Sequence, residues 1–263
     1  MSTAPPASAE AGRTGFLARA FDRTAWPPRG VRLLSAAVMA VFSAALWWQG
    51  GSWRAAAVLV GVDALAGLLP WRMPRTLRTG AAYWSENAIA LAVPIAFIAY
   101  SAGTGADWLT QGTSWWWYAV ALALDAGLLL AGGMDFRLLF SGDLAFLMGP
   151  STPLQARTRA TTGTLAPFGE EALYRSVAVT VAGPAGLVTS LLGAAAFIAR
   201  HHVGDSRWRK APRVLAVELL AALSLLGLVA LSGSVYPALL AHLVNNAPSV
   251  LLELQRSEKE SHG

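Results

Sequence analysis

Apolar and polar residues come in long blocks along this chain rather than alternating one by one. Apolar runs fall at about 33–49, 53–70, 86–102, 115–131, 166–182, 185–200, 213–231 and 235–254, separated by polar connections. Blocks of this length fit helices, and about 20 apolar residues cross a bilayer. Several runs are shorter, so tilt and aromatic flanks matter. Trp47 and Trp48, and the stretch WWWY at 115–118, fit the interfacial belts that anchor such helices. The pattern predicts an all-α fold, a polytopic membrane helix bundle of about eight transmembrane helices. The segment 136–149, FRLLFSGDLAFLMG, is apolar but broken by charge, and is expected to be interfacial or re-entrant.

Composition strengthens this picture. Of 263 residues, 55% are hydrophobic and 13% charged, against about 25% charged in a soluble domain. Cysteine is absent, which excludes thiol nucleophiles, disulfides and thiolate metal sites. The net charge of +5 is carried almost wholly by arginine, the lysines being Lys210 and Lys259. The basic residues lie in short segments between apolar runs, not on one soluble face, which argues for membrane orientation and against nucleic acid. An Ala- and Arg-rich, Lys-poor chain points to a GC-rich bacterial genome.

Charge also sets an expected topology. Arg72, Arg75 and Arg78 follow the second run; Arg137, Arg157 and Arg159 the fourth; Arg207, Arg209, Lys210 and Arg213 the sixth. The alternate connections 103–114 and 232–234 carry no Lys or Arg, and Arg54 alone sits on the other side. Eight crossings with both termini cytoplasmic satisfy the positive-inside rule, placing the protein in a bacterial plasma membrane. Residues 1–30, with Arg13, Arg19, Arg23 and Arg29, read as a disordered cytoplasmic tail, 31–255 as one transmembrane domain, and 256–263 as a polar C-terminal tail.

A charge inside an apolar helix costs about 2.5–3.5 kcal/mol on insertion scales, so those that persist need a reason. Asp63 and Asp125 each stand alone in an apolar run. They read as hydrogen-bonded acids tying helices together, or as the coupling acids of a small transporter, although no internal repeat supports the latter. In GEEALYR, 169–175, Glu171 and Arg175 are four apart and can pair on one helix face. Glu170 lies about 100° round the helix and is left over. With Pro167 just before them, both glutamates are expected in the first turns of a helix, where the dipole favours carboxylates. In FIARHH, 197–202, Phe197 and His201 share a face. In AHLVNN, 241–246, His242 and Asn246 do. Each has a structural reading, as a helix start, a dipole partner or an interhelical bond. Together they put a free carboxylate, two histidines and an amide on three helices, able to converge on a cavity open to the cytoplasmic leaflet.

These motifs, EExxxR (Glu170, Glu171, Arg175), FxxxH (Phe197, His201) and HxxxN (His242, Asn246), in that order on late helices, resemble the CPBP family. That family includes the type II CAAX prenyl proteases and bacteriocin-processing or self-immunity proteins. The resemblance covers about 135–254. Tyr174 and Ser176 stand where Phe and Gly are expected beside the arginine, and are expected to alter packing without touching the catalytic atoms. The resemblance implies hydrolysis of a peptide bond in a membrane-associated or lipidated protein or peptide. Glu170 would be the base that activates water, His201 would orient it, and His242 and Asn246 would stabilise the oxyanion. Glu171 and Arg175 would fix the turn presenting Glu170, and Phe197 would pack beside His201. A metal version would use Glu170, His201 and His242 as three zinc ligands with water in the fourth position. The chain lacks HExxH, which favours glutamate-activated water with no required metal. SGSVYP at 232–237 supplies no serine-protease motif and FSGD at 140–143 no GxGD-like aspartyl motif. A non-catalytic membrane scaffold or self-immunity protein stays open beside the protease.

Overall fold

The computed structural model describes residues 29–68, 80–148, 152–203 and 212–260. Expectations for the tail at 1–28 and for the arginines at 72, 75, 78, 207 and 209 lie outside the described residues. Eight helices of sixteen residues or more make up most of it: α1 Arg29–Gln49, α2 Trp53–Leu68, α3 Gly80–Gly103, α4 Trp116–Gly132, α7 Pro153–Arg175, α9 Gly183–Val203, α10 Pro212–Ser232 and α11 Tyr236–Glu260. Three short ones lie between them: α5 Phe136–Ser141, α6 Asp143–Met148 and α8 Val177–Thr180. A 3-10 turn, Asp107–Leu109, lies between α3 and α4. The chain is all-α with several apolar helices, the build of a polytopic membrane bundle. Among the described residues, three helical stretches are long and apolar enough to cross a membrane, Arg29–Gln49, Gly183–His201 and Leu215–Ser232; Leu91–Gly103 and Trp116–Gly132 are apolar but shorter.

In α1, Ser35, Ala36, Met39, Phe42 and Leu46 form one buried stripe, while Leu34, Val41 and Trp48 point outward. Gly50 and Gly51 both adopt positive φ, 75° and 52°, and reverse the chain into α2. There the small buried residues Ala56, Ala57 and Ala64 let α2 lie close on α1. Helix α9 also packs on α1. A second group pairs α7 with α11 and with α3, and α11 also packs on α4. Phe42, Phe97, Leu173 and Tyr174 fill the centre where the groups meet.

The fifth apolar run differs from its expectation in a way that matters for the site. Thr152 caps a helix by accepting a hydrogen bond from the backbone N–H of Gln155, and Pro153 takes the first helical position. The helix therefore begins at 153 and passes through Pro167. It ends at Arg175, with the single turn α8 before α9. Glu170 and Glu171 sit in its last turns, not its first. The dipole there opposes carboxylates and favours Arg175, so the glutamates need cations and donors from elsewhere.

Candidate active site

The end of α7 is held by two close approaches. A Cβ on Gly169 would lie 1.9 Å from Pro94 Cβ of α3, and one on Gly193 of α9 would lie 2.3 Å from the Tyr174 carbonyl oxygen. Hydrogen-only residues at both positions let α3 and α9 close on α7. Residues 169–175 are consequently all buried.

Inside this junction Glu171 accepts hydrogen bonds at Oε1 from Arg175 and from His242 Nδ1, the latter at 2.7 Å. A carboxylate only accepts, so Nδ1 of His242 carries the proton and Nε2 turns its lone pair outward. That nitrogen lies 3.7 Å from Glu170 Oε2. Phe197 is the apolar floor: the Arg175 guanidinium sits 4.3 Å above its ring, and the rings of His201 and His242 meet it edge-on at 4.7 and 5.7 Å. Glu171 Oε2 and Arg175 Nε and Nη2 meet no hydrogen-bond partner among the described residues.

Glu170 is not left over. Arg200, one turn before the end of α9, donates from Nη1 to Glu170 Oε1 and from Nε to Asp63 Oδ2 of α2 at 2.6 Å. Tyr174 also donates to Asp63 Oδ2, at 3.1 Å, so this residue joins the polar cluster rather than only packing. Glu170 is 4% exposed. An isolated carboxylate at that depth is costly, and Arg200 is its counter-charge. Arg200 carried no signal as a lone arginine at a helix end, where it reads as a dipole partner. The usable clue was its spacing: three residues beyond Phe197, it stays near the same helix face.

The remaining candidates lie around this cluster. His201 is exposed, and its Nδ1 donates to the Phe197 carbonyl at 2.9 Å, which leaves Nε2 as an acceptor. Asn246 donates one amide N–H to the Gly163 carbonyl at 2.9 Å. Further along, Glu253 meets Arg159 at 2.5 Å, so α11 and α7 run antiparallel with polar rungs between them. Glu170, His201 and His242 do not form a ligand set, since no group of three or more metal-binding side chains occurs among the described residues. Each of the three keeps one possible ligand atom outside these contacts: Arg200 takes Glu170 Oε1, Glu171 takes His242 Nδ1, and the Phe197 carbonyl takes His201 Nδ1. Asp125 of α4 is 2% exposed, and its Oδ2 has no partner among the described residues.

Residues 154–248 match the family model described as type II CAAX prenyl endopeptidase Rce1-like. That part of the chain is thus a CAAX protease-like domain. It spans α7 to the first half of α11 and contains every late-motif residue, while Asp63 lies outside it. No match is found among curated proteins or among solved structures.

Proposed function

We propose that this protein is an intramembrane endopeptidase that cleaves a membrane-associated or lipidated substrate with water activated by Glu170. The observation that carries the reading is the facing pair Glu170 Oε2 and His242 Nε2, 3.7 Å apart, with the far side of the imidazole held by Glu171. A water molecule between them reaches both atoms. Its proton goes to Glu170 while its oxygen bonds to the substrate carbonyl carbon. The proton then passes to His242, whose imidazolium, beside Glu171, donates to the oxyanion together with the second amide N–H of Asn246. Collapse of the intermediate breaks the C–N bond, and the proton leaves on the amine. His201, with Nε2 as acceptor, helps orient the water. An apolar groove of about 360 Å³ between α1, α9 and α10, lined by Leu34, Leu191 and Ile198 among others, suits an apolar chain of such a substrate.

Peptides released from membranes of cells making the wild type or Glu170→Gln, compared by mass spectrometry, test this. A set of products should vanish with Glu170→Gln while the protein level holds; unchanged products would sink the mechanism. The polar rungs between α7 and α11 favour a second reading, a non-catalytic scaffold. It expects Glu170, His201 and His242 substitutions to lower folded yield in step with any phenotype.

A further inference from the structure

We propose that Arg200 is a positioning residue of this site, clamped by Asp63 of α2 so that it holds the Glu170 carboxylate with Oε2 turned towards His242. The inference rests on reading Glu170 as the base. Its grounds are geometric. Arg200 uses two different nitrogens for two carboxylates on two helices, Nε for Asp63 and Nη1 for Glu170. The planar guanidinium fixes the angle between those bonds, which a lysine point charge cannot do. Tyr174 holds the Asp63 oxygen that Arg200 grips. Glu170 is thus gripped at Oε1 alone, and Oε2 is the oxygen that faces the imidazole. Asp63 also offsets the Arg200 charge, so the clamp fixes Glu170 without neutralising the whole cluster. Through Asp63 the first helical hairpin becomes part of a site whose other groups all lie within 154–248.

The test uses the full chain in membranes and dicyclohexylcarbodiimide, an apolar reagent for buried carboxyl groups. Adducts at Glu170 and Asp125 are quantified by mass spectrometry. Arg200→Gln should raise labelling of Glu170 several-fold and leave Asp125, on α4, at the wild-type level. Arg200→Lys should keep Glu170 closer to wild type, and Asp63→Asn should fall between. Formation of the Glu170-dependent products should drop about a hundredfold in turnover in Arg200→Gln, the scale of a mispositioned group, with KM unchanged. Arg200→Lys should recover part of it. Unchanged Glu170 labelling in Arg200→Gln overturns the proposal. So does a parallel rise at Glu170 and Asp125 in both Arg200 variants, which would make Arg200 a fold-holding residue only. If Glu170→Gln leaves the products intact, the base reading falls by itself, and the labelling still reports whether Arg200 grips Glu170.

Discussion

Glu171 binds two other residues of the site, and its partners explain why two glutamates stand side by side. It is 1% exposed and accepts from both Arg175 and His242. Arg175 in turn is fully buried, with its guanidinium on the Phe197 ring. A pair this deep gives little net stability, because the cost of dehydrating both charges offsets their attraction. Removing one partner, however, strands the other. Arg175→Met should therefore destabilise the folded protein by about 3–5 kcal/mol, measured by denaturant unfolding in detergent. Arg175→Met combined with Glu171→Leu should recover a good part of that loss. Glu170 differs in kind: its neighbours grip one oxygen and leave the other facing His242. Sequence spacing distinguished the two glutamates, because i,i+4 geometry is local. It did not supply the partner of Glu170, since a pair 30 positions apart follows no local rule. Nor did it join Asp63 to Tyr174 across 111 positions.

At the scale of elements, the positions of the apolar helices were readable from hydrophobic blocks, and most boundaries fall within a few residues of the runs. The largest departure is α7. Its first half, PLQARTRATTGT, is polar and makes no apolar window, so the helix seemed to begin at Pro167. The signal for the true start was the Thr152–Pro153 cap, which belongs to turn chemistry, not hydropathy. The same helix depends on glycines that hydropathy ignores. Gly169→Ala would drive a methyl group into Pro94, a backbone-anchored ring that cannot swing away. Overpacking of this kind costs about 1–3 kcal/mol. Folded yield in membranes and detergent melting should both fall, whereas Gly127→Ala, with open space at the Cβ position, should leave them unchanged.

The whole molecule is more than its protease-like segment. Phe42 of α1 stacks on Tyr174 at 5.8 Å, Asp63 of α2 holds Arg200, and Pro94 of α3 abuts Gly169. A fragment of residues 152–260 loses all three supports. It should aggregate or lose Glu170-dependent cleavage, and co-expression with residues 1–148 should restore part of both; detergent size-exclusion and product analysis read the result. The clamp also has a consequence for charge. Asp63, Glu170 and Glu171 carry three negative charges against two on Arg175 and Arg200, which leaves a surplus of one with the imidazoles counted neutral. In the proposed reaction, the water's proton stays among Glu170, His242 and the leaving nitrogen. The cluster with its substrate therefore keeps the same total charge from attack to bond cleavage. No ion has to cross the surrounding apolar layer during the chemical step, and bulk water is needed only to bring in the next nucleophile.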